Sequence, residues 1–303
     1  MSDLQRASGR STPAALVAAM RPRQWLKNIL VFAAPLAAGS IFELDVLLPS
    51  ILAFVVFCLM SSATYLINDI RDIEADRAHP TKCRRPIAAG ELSIGLAVGA
   101  SIVLALVSLG IALTVSLSLF GIVGAYAIFT LSYSLFLKHE PVIELALLAM
   151  GFLLRAIAGG AAADLPISPW FLIVAAFGSL FMAAGKRFSE LQSANDALPT
   201  DPTPRRRSLA GYTSTYLRFV WGVAAAVTIT AYCLWAFEVS QPDSALPWSQ
   251  WSVLPFVLAI LRYAVDIDRA AAEAPEDVVL RDRALQALGL IWLVLFGLGA
   301  LGV

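Results

Sequence analysis

Apolar residues in this chain neither alternate nor mark one helical face; they run on uninterrupted. Continuous, mainly apolar stretches lie at roughly 26–43, 46–69, 92–114, 117–137, 141–163, 168–187, 215–238, 251–267 and 284–302. A helix needs about 20 such residues to cross the hydrocarbon core of a bilayer, and each stretch is near that length. Unbroken runs without the two-residue alternation of a barrel strand predict helices. The expected fold class is an all-α integral membrane protein of about nine transmembrane helices. Residues 25–303 form a single polytopic membrane domain, and residues 1–24 form a polar N-terminal arm. In that arm, Ala14 to Met20 is too short for a secretory h-region, so no cleaved signal is expected.

Polar positions supply the orientation. With the N-terminus in the cytoplasm, the inner segments are 1–27, 70–91, 138–140, 185–218 and 262–283. These hold 21 of the 22 Lys and Arg residues, and the outer connections near 44, 115, 165 and 240–250 hold none. The positive-inside rule demands this asymmetry, and a wrong helix count would scramble it. The expectation is a multi-pass protein of the inner (plasma) membrane with its charged rim facing the cytoplasm. Trp25, Trp170, Trp248 and Trp251 fall near span ends, where indole rings favour the interface.

Composition agrees: 59% of residues are apolar and 15% charged, against roughly 25% charged in soluble domains. Basic and acidic residues balance at 22 each, which gives no electrostatic preference for nucleic acid. Cys58, Cys83 and Cys233 are spaced for neither a zinc site nor a disulfide framework, and the histidines are His79 and His139 alone. Residues 193–211 are polar and proline-rich and read as a cytoplasmic loop whose Arg205-Arg206-Arg207 run is topogenic, with contact to anionic lipid headgroups as the alternative.

Chemistry concentrates at the inner end of the second span, in Tyr65-Leu-Ile-Asn68-Asp69-Ile-Arg71-Asp72-Ile-Glu-Ala-Asp76-Arg77. On a continuous helix Asn68, Asp72 and Asp76 recur every four residues and share one face, drifting about 40° per step. Like charges stacked this way repel unless something positive lies among them. Hard oxygen donors suit Mg²⁺, which takes one or two carboxylates and leaves other positions to water and phosphate oxygens. Lys82, Arg84 and Arg85 follow directly, so metal and polyanion would meet here. A second charged cluster, Gly185-Lys186-Arg187-Phe-Ser-Glu190, closes the sixth span, and Arg262, Asp266 and Asp268 close the eighth. Lys27 sits just inside the first span, where snorkelling is the bland alternative to a binding role. Arg155 lies deep in the fifth span with Glu144 nearer its start. A central Arg costs about 2.5–3.5 kcal/mol on insertion scales, so it should face the bundle interior or a cavity.

Asn68-Asp69-x-x-Asp72-x-x-x-Asp76 in a helical membrane protein resembles the first aspartate motif of the UbiA-like intramembrane prenyltransferases, and Arg85-Pro86-Ile-Ala-Ala-Gly90 resembles the segment that follows it. The resemblance covers the whole chain. It implies nine helices bundled around a central cavity open to the cytoplasm, and Mg²⁺ held by Asn68, Asp69, Asp72 and Asp76. Further matches point to one branch: Arg21-Pro-Arg-Gln-Trp25-x-Lys27-Asn28, His79-Pro-Thr-Lys82-x-x-Arg85-Pro86, Arg155-Ala-Ile-Ala-Gly-Gly160, Gly185-Lys186-Arg187-x-x-Glu190-Leu191 and Tyr212-Thr-Ser-Thr-Tyr-Leu-Arg218. Its members move 5-phosphoribose from phosphoribosyl diphosphate onto a polyprenyl (decaprenyl) phosphate and release diphosphate, a step towards cell-wall arabinan.

That resemblance implies catalytic roles for Asp72, Asp76 and Lys186. It implies substrate contacts for Lys27, Arg71, Lys82, Arg85, Arg155, Lys186, Arg187, Glu190 and Arg262. Ordinary family members carry a second Asp-rich motif after the sixth span; here Lys186-Arg187-x-x-Glu190 has one acid and two cations, which favours direct phosphate contacts. An aromatic prenyltransferase of quinone or haem biosynthesis is the alternative, and a transporter the reading from another class. Paired broken helices in matching halves, which a transporter would call for, are not evident. The partners expected are phosphoribosyl diphosphate, a polyprenyl phosphate lipid and the bilayer, with a homo-oligomer possible and no nucleic acid.

Overall fold

The computed structural model describes residues 10–138, 140–196, 209, 211–238 and 246–300. His139 and the Arg205–Arg207 run lie outside them. Every regular element among the described residues is helical: α1 (Thr12–Ala19), a 3₁₀ segment (Pro22–Phe32), α2 (Ala33–Ala37), α3 (Leu44–Arg71), α4 (Ile73–Ala78), α5 (Ile94–Val115), α6 (Leu117–Ser132) with a π-wound extension (Tyr133–Leu137), α7 (Ile143–Ala162), α8 (Pro169–Asp196), α9 (Ser214–Glu238), α10 (Trp248–Trp251), α11 (Val253–Asp268), α12 (Pro275–Arg281) and α13 (Arg283–Ala300), besides a 3₁₀ turn at Lys82–Arg84. Among the described residues, eight helical stretches are long and apolar enough to cross a membrane. They coincide with the second to ninth apolar runs of the sequence.

The first run behaves differently. It forms the 3₁₀ segment and short α2 in place of a single α-helix. A 3₁₀ helix climbs about 2.0 Å per residue against 1.5 Å for an α-helix. Eleven 3₁₀ residues and five α residues therefore rise ~30 Å, the depth of a hydrocarbon core. Intimate packing on α7 holds this winding. At Gly159 an added Cβ would strike the Val31 carbonyl oxygen and lie 3.1 Å from the Pro35 ring, so only glycine lets the two backbones approach this closely.

α7 is the shared wall of the bundle. One of its sides contributes Leu154, Ala158 and Ala162 to a core with Ala53, Val56, Phe57 and Met60 of α3 and Leu119, Val123 and Tyr126 of α6. Its opening turns contribute Leu145 and Ala149 to a second core with Phe181 and Phe188 of α8, Leu217 of α9 and Tyr263 and Ile267 of α11. α1 packs Ala15 and Ala19 against Leu66, Ile87 and Ala97, so α1 lies against the charged end of α3. The alternating helix directions bring the ends of α3, α6, α8 and α11 and the start of α7 to one end of the bundle. Ion pairs join neighbouring ends there, Asp72 to Lys138, Glu144 to Arg187, and Asp268 to Arg218 at the start of α9.

Candidate active site at the charged end

α3 stops at Arg71, and Asp72 (φ −94°, ψ 12°) is both its last capping residue and the first of α4. Asp is a poor helix former, and two tethers act at this junction. Arg71 donates to the Leu135 carbonyl at 2.8 Å, and Lys138 Nζ lies 2.8 Å from Asp72 Oδ1. The expectation of one continuous face through Asn68, Asp72 and Asp76 is corrected by this break. The carboxylates that converge are Asp69 and Asp76, which are buried, while Asp72 turns to Lys138. Asn68 stands half-buried one turn before the junction.

Arg85 joins the converging pair. Its Nη1 donates to Asp69 Oδ1 at 3.1 Å and to Asp76 Oδ2 at 2.6 Å. Arg21 donates to the same Asp69 oxygen, and its guanidinium lies over the Tyr65 ring at 5.0 Å. Arg21 adopts left-handed φ 56° immediately before Pro22, a conformation few non-glycine residues hold without compensation, and the ion pair supplies it. The turn that returns Arg85 to the site is built on His79, whose Nδ1 accepts from the Thr81 and Lys82 N–H groups at 3.3 and 3.4 Å. Burial, and secondarily the Lys82 charge, hold the His79 pKa below its ordinary value, which suits an accepting ring nitrogen. Lys82 and Lys27 are half-buried.

The second cluster lies across the π-wound segment. Arg187, the largest fully buried side chain among the described residues, pairs with Glu144 and Glu190 and donates to the Tyr133 hydroxyl at 3.1 Å. Lys186, with 35% of its side chain exposed, reaches Glu190 at 3.9 Å. Adjacent residues thus have different surroundings: Arg187 faces inward and Lys186 is accessible. Glu144 is set by a strained corner, because Val142 has φ 68° and its N–H donates to the Tyr212 hydroxyl at 2.8 Å. Gly211 packs so tightly on Pro141 that a Cβ would clash there. Burial pushes the Tyr212 pKa up to about 12, so its hydroxyl stays protonated and neutral.

Arg155 and Arg262 stand apart from these clusters. Arg155 is buried; it donates to Asn28 Oδ1 (2.7 Å), the Gly151 carbonyl (2.6 Å) and the Tyr126 hydroxyl (2.8 Å), and lies over the Tyr126 ring. It thereby locks the 3₁₀ segment to α6 and α7 inside the bundle. Arg262 donates to Asp282 at 2.6 Å, and Asp282 also accepts from the Ala284 and Leu285 N–H groups that open α13. The Leu285 N–H, then Arg262, hold the Asp282 pKa below the usual carboxylate range. Trp25 donates to Ser62 at 3.0 Å, so it joins the bundle as well as lying at a span end.

The sequence assigns no site role to Lys138 or Tyr133. Lys138 reads only as topogenic charge, although it is the sole Lys or Arg of the inner segment 138–140. Tyr133 carries no signal in the sequence, because its role depends on the π-winding that ends α6.

The first cluster fits a divalent cation in its donor chemistry. Carboxylate and Asn oxygens are hard ligands, and the bridging Arg85 guanidinium stands in for positive charge where two carboxylates meet. Among the described residues no three His, Cys, Asp or Glu side chains already surround one point. A metal would therefore draw carboxylates away from their arginine and lysine partners.

Comparison with known proteins accounts for most of the chain. The profile of the UbiA prenyltransferase family matches residues 29–280. The chain is 49% identical over 284 residues to decaprenyl-phosphate phosphoribosyltransferase of Corynebacterium glutamicum, covering 91% of this chain and 84% of that one. It is 49% identical over 293 residues to the Mycolicibacterium smegmatis protein of the same name, covering 93% and 91%. Among solved structures, a UbiA homolog from Archaeoglobus fulgidus bound to DMAPP and Mg²⁺ superposes with a TM-score of 0.69 over 95% of this chain and 99% of that one, at 16% identity. A digeranylgeranylglyceryl phosphate synthase superposes at 0.68 over 96% and 99%, at 17% identity. Likeness at that identity speaks for the fold, and the sequence matches speak for descent: the chain belongs to the UbiA prenyltransferase family.

Proposed function

We propose that this protein transfers 5-phosphoribose from phosphoribosyl diphosphate to a polyprenyl phosphate, decaprenyl phosphate being the expected lipid, and releases diphosphate. The observation that carries the proposal is near-half identity, sustained over more than nine-tenths of the chain, to proteins named for this reaction. The site is consistent with it. A lipid phosphate is already anionic and attacks the anomeric carbon without a general base, and neither cluster offers an unpaired carboxylate for that role.

In this scheme Asp72 and Asp76, with Asn68 and Asp69, are the metal-holding set, and Mg²⁺ bound there would neutralise charge developing on the leaving diphosphate. Lys186, accessible at the rim, grips the donor's phosphates from the α8 side. Lys27, Lys82 and Arg85 supply cations from the α3 side. Arg187 holds Glu190 and Tyr133 in place, Arg155 braces the first membrane segment, and Arg262 ties α11 to α13. Arg71 fixes the α3–α4 junction through Leu135. The soluble donor enters from the cytoplasmic side of a plasma-membrane protein and the lipid from the bilayer side, so the two phosphates approach the sugar from opposite directions.

The test is a comparison of substrate pairs. Purified protein with Mg²⁺ is given either phosphoribosyl diphosphate and decaprenyl phosphate, or a prenyl diphosphate and hydroxybenzoate. Diphosphate release with the first pair and none with the second is expected. The reverse result would assign the protein to aromatic prenylation.

A further inference from the structure

We propose that Lys138 is a built-in place-holder for the divalent cation: it occupies Asp72 while the site is empty and must leave it for a metal to bind. The inference rests on the magnesium–diphosphate reading of the site and adds a residue and a control to it. The metal-facing carboxylates, Asp69, Asp72 and Asp76, are each paired with a cation, Arg21, Arg85 or Lys138, so their charges are already matched while the site is empty. A divalent ion entering alone would give it a surplus of two positive charges. A diphosphate entering alone would give it a large negative one. Arriving together they largely cancel, so the donor's anion is what makes room for the metal.

Lys138 is the cation fitted to move. Arg85 is held by two carboxylates and Arg21 by Asp69 and the face of Tyr65. Lys138 has Asp72 as its one ion-pair partner among the described residues. A lysine ammonium on a four-carbon stem reorients easily and serves phosphate as a point charge. Its root is fixed nonetheless: the π-wound segment before it is pinned by Arg71 at Leu135 and by Arg187 at Tyr133. Lys138 therefore leaves Asp72 by moving its side chain. π-windings recur at functional sites, and here one sets a lysine between metal ligands and the second charged cluster.

The experiment is a melting-temperature titration of the full-length, detergent-solubilised protein with MnCl₂ or MgCl₂, without donor or lipid. A unit and a double positive charge about 5 Å apart repel enough, even at the dielectric of water, to change binding roughly tenfold. Lys138→Met should therefore lower the half-saturating metal concentration by about tenfold or more, whereas Lys138→Arg, which keeps the charge, should leave it near the wild-type value. In a transfer assay at saturating metal, Lys138→Met should also raise the KM for phosphoribosyl diphosphate. Lys138→Gln is measured in parallel in case the methionine variant does not fold. Identical metal curves for wild type and the neutral variants would overturn the proposal, as would a Lys138→Arg curve matching Lys138→Met. A wild-type enzyme that transfers phosphoribose while the metal curves coincide defeats this inference alone. A tenfold shift in a protein that transfers no phosphoribose defeats only the substrate assignment.

Discussion

Arg187 and Glu144 offer the sharpest test of how the charged end is held together. Each side chain is 1% exposed, one on α8 and the other on α7, and the surrounding core includes Leu145, Phe181 and Phe188. Replacing Arg187 with Met fills much of the same volume but leaves Glu144 buried without its cation. Breaking a buried pair in this way costs about 3–5 kcal/mol, because the remaining charge keeps its full desolvation penalty. Four kcal/mol changes the folded-to-unfolded ratio on the order of 10³-fold. Removing both charges is often close to neutral, so Glu144→Gln combined with Arg187→Met should recover more than half of the loss. The assay is apparent melting temperature in detergent for wild type, both single variants and the double. A double variant as unstable as Arg187→Met, or an Arg187→Met protein that melts like wild type and has lost only donor affinity, would refute the reasoning. The second result would make Arg187 a phosphate ligand rather than a buried strut.

Other outcomes follow from named contacts. Asp72→Ala and Asp76→Ala should each lower kcat by about 10³-fold, the scale of losing charge stabilisation at a leaving group, with membrane insertion intact on fractionation; Asp76→Ala also deprives Arg85 of a partner and should melt lower than Asp72→Ala. Lys186→Ala should raise the KM for phosphoribosyl diphosphate about 10–100-fold, as expected for one charge-assisted hydrogen bond, and leave the KM for the lipid unchanged in steady-state kinetics. Gly159→Ala sets a methyl group against the Val31 carbonyl and should destabilise by about 1–3 kcal/mol, seen as a lower melting temperature without any change in substrate KM.

Hydropathy and charge were enough to read most of this fold. Eight apolar runs became spanning helices at nearly the expected positions because spanning a bilayer leaves a chain little choice but a helix of fixed length. The run at 26–43 concealed its winding, since length and apolarity do not reveal a 3₁₀ segment that sets the Val31 carbonyl against Gly159 and bonds Asn28 to Arg155. α8 continues to Asp196, well past the apolar stretch that ends at 187, because its last turns carry polar residues invisible to a hydropathy window. Within the site, the types and spacing of Asn68, Asp69, Asp72 and Asp76 were legible, and so was the nearness of Arg85. Four-residue spacing assumed an unbroken helix, and the tethers at Asp72 come from Leu135 and Lys138, more than sixty residues later in the chain. The same limit hid the Glu144–Arg187 pair: each was recognisable alone as a charge near a span end, but their meeting is a property of how α7 packs on α8.

The central claim is a transfer of phosphoribose between two phosphates, and the product lipid records it most directly. Neither cluster presents a free nucleophilic side chain beside the aspartate motif, so a single in-line displacement is expected, with lipid phosphate attacking the face opposite departing diphosphate. An α-configured phosphoribosyl diphosphate should then give a lipid carrying 5-phosphoribose through a β-phosphodiester, and NMR of the purified lipid reads both the sugar and its anomeric configuration. A β-linked phosphoribosyl lipid is the predicted result. An α-linked product would contradict the single displacement and require a covalent ribosyl-enzyme on one of the carboxylates, and a lipid fraction without ribose would contradict the proposed function itself.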